Sequence, residues 1–188
     1  MAATHIPINI SSKEYFEKAG AAIASELSSH NTFALPKIKK ICINAGIGKL
    51  FDTKQKQEIV NYLTKMTGQK PKLIITRKSI SGFKLRSGEV VGAIVTLRGQ
   101  KMQDFLFNLV YIAIPRIRDF RGVNRSSFDS NYSCYSLGIV NTAIFPTIGF
   151  DVELNFGIQI NIVFATGDIN NVNLLNHLSF PFSKIITK

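Results

Sequence analysis

An α+β fold, with a mainly antiparallel sheet, helices packed on one face and a long basic loop between two central strands, is what this 188-residue chain predicts. Three observations carry the prediction. Short apolar runs that read as strands recur near residues 37–44, 72–76, 90–97 and 157–166. Segments of helical period lie among them, but without the regular strand–helix alternation of a doubly wound parallel sheet. The composition, 45% hydrophobic with 14 Phe and only 19% charged residues, suits a packed globule and excludes a disordered tail. The length fits one domain over 1–188, divided into an N-terminal helical segment 1–36, an α+β body 37–182 and a tail 183–188.

The first helix is expected over 12–29, because Ser11 and Glu14 have capping-box spacing ahead of an apolar run. Pro36 ends the linker. Residues 37–44 alternate imperfectly between polar and β-branched side chains, a strand with one wet face closed by Gly46 and Gly48. A second helix fits 54–66, with Ile59, Val60 and Leu63 on its apolar stripe and Gly68 placed to cap its C-terminus. Two strands, 72–76 and 90–97, flank a polar loop, 77–89, whose cations are Arg77, Lys78, Lys84 and Arg86. Long loops of this kind are usually functional. A third helix over 100–114 turns Met102, Phe105, Leu106, Leu109 and Val110 inward and stops at Pro115. Residues 116–135 read as loop, with Phe128 and Tyr132 as packing residues, followed by short strands at 136–139 and 142–145 and a longer one at 157–166. A last helix fits 169–178 behind the candidate cap Asp168.

Charge locates the function. Lys plus Arg is 23 against 12 Asp plus Glu, a formal net charge of +11. Residues 37–125 hold 19 of the basic side chains and only 5 of the acidic ones, while both ends are slightly acidic. Such a surplus calls for a polyanionic partner, and the central cations are expected to form one continuous face. Phe83 among the loop cations suits stacking on bases or riboses. The guanidinium series Arg116, Arg118 and Arg121 fits a phosphate clamp and equally a loop ordered by Asp119.

Other chemistries find little footing. Cys42 and Cys134 lack metal or disulfide spacing, and His5, His30 and His177 lie far apart without flanking ligands, so neither a metal nor a cofactor is expected. The stretch 46–49 lacks the spacing of a phosphate loop, and no paired carboxylates or nucleophile–base pair point to an enzyme. The apolar run 105–114 is too short to cross a bilayer, and no basic segment shares a helix with an exposed apolar face, so no membrane partner is expected. The N-terminus has neither a secretory nor a transit pattern, which places the protein where it is made.

Six ordered segments then identify a resemblance: KICINAGIG (40–48), TGQKP (67–71), KSISGFKLR (78–86), VTLRG (95–99), PRIRDFRG (115–122) and FPF (180–182). Together they resemble the bacterial-type family of large-subunit ribosomal protein five, collinearly over about 12–182. The resemblance implies a non-enzymatic constituent of the large ribosomal subunit, in a bacterial cytoplasm or an organelle matrix. It implies binding to 5S rRNA in the central protuberance beside 23S-type rRNA and neighbouring ribosomal proteins. Carried over by motif, Asn44, Gln69 and Thr96 hydrogen-bond the 5S rRNA, with Lys40 and Arg98 as phosphate partners. The loop residues Lys78, Ser79, Phe83, Lys84 and Arg86 match the segment that reaches the peptidyl-site tRNA, and a segment after Arg121 would meet a small-subunit head protein. The chain departs from the family in 124–135, which is rich in Ser and Asn where the family is basic. The rival reading of the same residues is an RNA-binding regulator or chaperone acting off the ribosome.

Overall fold

The computed structural model describes residues 11–27, 31, 35–48, 53–83, 85–145 and 156–183. Its elements are α1 (Ser12–Glu26), β1 (Ile38–Gly46), α2 (Thr53–Thr67), β2 (Lys72–Ile75), β3 (Val90–Leu97), α3 (Gly99–Asn108), β4 (Cys134–Ile139), β5 (Ile158–Phe164) and α4 (Asn170–His177). The strands form one sheet in the order β2-β3-β1-β5-β4, every neighbouring pair antiparallel. This is the expected α+β class.

Alternation along the strands decides which face is dry. Ile41, Ile43 and Ala45 of β1, Ala93, Val95 and Leu97 of β3, and Ile158, Ile160, Ile162 and Phe164 of β5 are all at most 3% exposed. Each large member contributes about 1.5–3 kcal/mol by leaving water. The helices cover that face with Tyr15, Ala19 and Ile23 of α1, Ile59 and Leu63 of α2, Phe105 and Leu106 of α3, and Leu175 of α4. Polar ties hold the helical layer together: the Ser12 hydroxyl donates to Asp104 of α3, and His177 Nε2 of α4 lies 2.7 Å from Glu26 Oε2 of α1.

Several elements differ from expectation. Ser11 does stand at the N-cap of α1, but its side chain makes no capping bond, so the capping box is not formed. The helix ends at Glu26, and positions 28 and 29 lie outside the described residues. The third helix is α-helical only to Asn108. It widens into a π turn over Leu109–Ala113 and closes as a 3-10 turn over Ile114–Arg116. Pro115 explains this, since it lacks an N–H and its ring would collide with the carbonyl four residues back in a regular α-helix. The expected strand at 142–145 is instead a 3-10 turn, Thr142–Ile144. Asn141 accepts a 2.9 Å hydrogen bond from the Ala143 amide and the Tyr62 hydroxyl, from a distant part of the chain, donates to the Thr142 carbonyl, so one local and one long-range bond hold the turn in place of strand pairing. The strands on either side of this turn, β4 and β5, match the expected ranges 136–139 and 157–166 within two residues. Asp168 is not the cap of α4: Ile169 holds the N-cap position, and Asp168, one residue further out, only accepts from the Asn170 amide at 3.4 Å.

Burial pushes the hydroxyls of Tyr15 and Tyr135 well above the ordinary tyrosine range and raises that of Tyr62 in the same direction. In the unfolded chain these phenols lose their protons near pH 10, whereas the folded state keeps them. The stabilisation is therefore complete below about pH 10 and falls as pH rises, by up to about 1.4 kcal/mol per pH unit for each tyrosine. Urea unfolding midpoints should drop steeply above pH 10. Tyr135→Phe should flatten that drop, and an unchanged alkaline slope would contradict the assignment.

Candidate nucleic-acid interface

The sheet face turned away from the core carries the complementary set of side chains. Lys40, Cys42 and Asn44 of β1 alternate with its core residues, as do Ile94 and Thr96 on β3, Gln159 and Asn161 on β5, and Ser136 on β4. Strand register lays them in rows. Thr96, Cys42, Asn161 and Ser136 face one another across four strands, and Ile94, Asn44, Gln159 and Gly138 form the next row. Asn44 and Gln159 are exposed, and Lys40, Cys42, Thr96 and Asn161 are half-buried. The strands place amides, hydroxyls and lysines on this face and no carboxylate. Burial pushes the Cys134 thiol up, so it stays neutral beside Lys40 and adds no negative charge.

Gln69 reaches this face from a purpose-built corner. Gly68 takes a φ of +66°, which closes α2 by a 2.8 Å bond from its amide to the Thr64 carbonyl. The Thr67 hydroxyl donates back to the Leu63 carbonyl at 2.7 Å and receives the Gln69 amide at 3.3 Å, while Lys101 Nζ donates to the Gly68 carbonyl at 2.8 Å. The chain then turns through buried Pro71 into β2, and Gln69 Nε2 points along β3 to the Thr96 carbonyl, 3.4 Å away. Arg98, exposed just beyond β3, continues the alternation of Thr96. The structure thus brings Lys40, Asn44, Gln69, Thr96 and Arg98 to one side of the β1–β3 pair.

The second group of residues sits elsewhere. Lys78, Ser79, Phe83 and Arg86 belong to the connection between β2 and β3, at the opposite end of β3 from Arg98, a separation on the order of 25 Å along an eight-residue strand. All four are exposed, Phe83 by 74%, and Lys84 lies outside the described residues. The connection is not an open loop: Ile80 and Leu85 exchange backbone hydrogen bonds at 3.0 and 3.1 Å around a 3-10 turn over Ser81–Phe83, and Ser79 Oγ accepts from the Ser87 amide at 3.1 Å.

One expectation is corrected. The central cations do not form a single continuous face, because the chain between 37 and 125 passes through both layers. Lys40, Lys72 and Arg98 attend the open sheet face, whereas Lys54, Lys56 and Lys65 ride on α2 in the helical layer. Arg116, Arg118 and Arg121 are exposed on a further loop, where the Arg118–Asp119 pair is loose, at 3.9 Å between almost fully exposed side chains. Phe128, by contrast, packs on Tyr135, Phe164 and Phe182, so the Ser- and Asn-rich segment folds around a buried ring cluster.

Sequence reading passed over Gln159, Asn161 and Ser136, which complete the polar rows. Their signal was present: in IQINIVF each polar residue falls between inward apolar ones. Chemically the face offers amide and hydroxyl groups for base edges and 2′-hydroxyls, and cations at its margins for phosphates. Among the described residues no cluster of three His, Cys, Asp or Glu side chains could hold a metal, and no helix is long and apolar enough to cross a membrane.

Comparison with known proteins gives the chain's family. Residues 31–86 match the family model described as Ribosomal protein L5, and residues 90–182 match the model of the same family's C-terminus. Large ribosomal subunit protein uL5 of Marinomonas sp. (strain MWYL1) is 43% identical over 173 residues, covering 90% of this chain and 96% of that protein. Its counterpart from Halothermothrix orenii is 37% identical over 180 residues, 94% of this chain and 100% of that protein. Large ribosomal subunit protein uL5c of Cyanidium caldarium is 42% identical over 172 residues, 89% and 94% of the two chains. The chain belongs to the ribosomal L5 family, RNA-binding structural proteins of the large ribosomal subunit rather than enzymes.

Proposed function

We propose that the open sheet face binds 5S rRNA in the central protuberance of the large subunit, and that the β2–β3 connection contacts the peptidyl-site tRNA. In this reading 23S-type rRNA and neighbouring ribosomal proteins surround the molecule, and the segment after Arg121 meets a small-subunit head protein in an intersubunit bridge. The observation that carries it is the convergence of Lys40, Asn44, Gln69, Thr96 and Arg98 on one side of β1–β3, away from the helices. Amides and hydroxyls on the strands hydrogen-bond bases and riboses, and Lys40 and Arg98 neutralise phosphates. The distance between this face and the β2–β3 connection lets the two engage different RNAs.

That separation makes the reading testable by a pair of variants. Gln69→Ala should weaken binding of isolated 5S rRNA by about 1–3 kcal/mol, because RNA groups at the corner lose their partner. Phe83→Ala should leave that affinity intact and reduce tRNA retention on assembled ribosomes, since its exposed ring supplies stacking alone. Filter binding and ribosome sedimentation read the two effects. Equal loss of 5S affinity in both variants would show that the sites are not separate.

A further inference from the structure

Building on the proposed RNA reading, we infer that the open face holds a seat for one unstacked RNA base, walled by the amides of Asn44 and Gln159 and floored by strand glycines. A cavity of about 340 Å³ opens there, bounded by Asn44, Gly46, Gly138, Val140, Gly157 and Gln159. Asn44, Gln159 and Gly138 lie in one row across β1, β5 and β4, so the two amides stand side by side beside a position with no side chain. Asn44 has no side-chain hydrogen bond among the described residues, and Gln159 has only a 3.4 Å contact to Asn161. Each amide offers a donor and an acceptor, the complement of a base edge.

The glycines are not explained by the fold. A strand glycine is disfavoured relative to alanine and packs nothing. Neither Gly46 nor Gly138 has a positive φ, and a Cβ on either would meet no described atom within 4 Å. Folding would tolerate a larger residue at both. What a side chain would occupy is the cavity itself, which marks close approach of a ligand to the backbone.

The ligand's chemistry follows from what surrounds the seat. No Lys or Arg lines it, so it is not built for a phosphate. The backbone groups of β1 and β5 are engaged by neighbours on both sides, so no peptide strand can be added there. A flat, neutral ring fits: its face lies on bare peptide planes, its edge meets the amides, and Val140, 85% exposed at the rim, offers apolar contact.

The test uses the full chain and transcribed 5S rRNA. Gly138→Val fills the seat with a residue that strands favour. It should bind at least tenfold more weakly while unfolding at the wild-type urea concentration or above. Gln159→Leu, which keeps the bulk and removes the amide, should lose affinity likewise and carries the test if the valine variant does not fold. With wild-type protein bound, one unpaired base should become protected from dimethyl sulfate, and saturating Gly138→Val should not protect it. Wild-type affinity in both variants would overturn the seat, whereas a wild-type protein with no preference for 5S rRNA over unrelated RNA would overturn the reading it rests on.

Discussion

Gly122→Val should destabilise the protein by about 3 kcal/mol or more, a large part of the 5–15 kcal/mol typical of a domain. Gly122 has a φ of +100°, outside the range a β-branched residue adopts. A Cβ there would stand 2.5 Å from Ser183 Cα and 2.6 Å from its nitrogen. Both are backbone atoms, so no side chain can swing aside. The backbone is held at that point by reciprocal bonds, the Val123 amide donating to the Pro181 carbonyl and the Ser183 amide to the Val123 carbonyl, each at 2.9 Å. Relieving the collision means releasing these bonds and, with them, Phe182 from its packing on Tyr135 and Phe180. Denaturant titration checks the effect. A midpoint shift worth less than about 0.5 kcal/mol would show that the contact is not tight.

Thr96→Glu should have the opposite profile, with folding nearly intact and 5S rRNA binding reduced at least a hundredfold. Thr96 is half-buried in the middle of the open face, level with Cys42 and beside Gln69. A carboxylate here meets no like charge on the strands, so the folding penalty stays near the ~1 kcal/mol span of strand propensities. Against RNA it sets a negative charge where phosphates and acceptor edges approach, and like-charge juxtaposition at an interface costs several kcal/mol. Thr96→Val, which removes the hydroxyl but keeps the shape, should lose much less. Filter binding at fixed salt compares them, and equal affinities for wild type and Thr96→Glu would remove β3 from the interface.

The sheet was legible because one-sided burial writes itself into the sequence. Ile158, Ile160 and Ile162 leave a two-residue period that only a strand with one wet face produces. Gly68 was legible for a similar reason, since a helix end needing positive φ leaves few residue choices. What escaped was decided between elements. The 3-10 turn at Thr142–Ile144 depends on a hydroxyl from Tyr62, 80 residues away in the chain. The capping box predicted from Ser11 and Glu14 is not made, while the tie that does hold this helix end, from Ser12 to Asp104, runs to another helix. The site was half legible: motif resemblance supplied Asn44, Gln69 and Thr96, but Gln159 joins them only through the pairing of β1 with β5, a register no local pattern specifies. The same limit misled the charge argument, because proximity along the chain does not decide which layer a lysine occupies.

The strand order has a consequence for synthesis. Central β1 is flanked by β3 and by β5, and β5 begins more than 100 residues after β1 ends. At translation speeds of about 5–20 residues per second, the nascent chain carries β1 for roughly 5–20 seconds with one hydrogen-bonding edge unmatched. That edge bears Ile41 and Ile43, whose apolar surface is then uncovered. Pairing at the centre of the sheet therefore waits for the late-made β5, and the interval before β5 emerges is when the growing polypeptide is most open to mispairing with other chains.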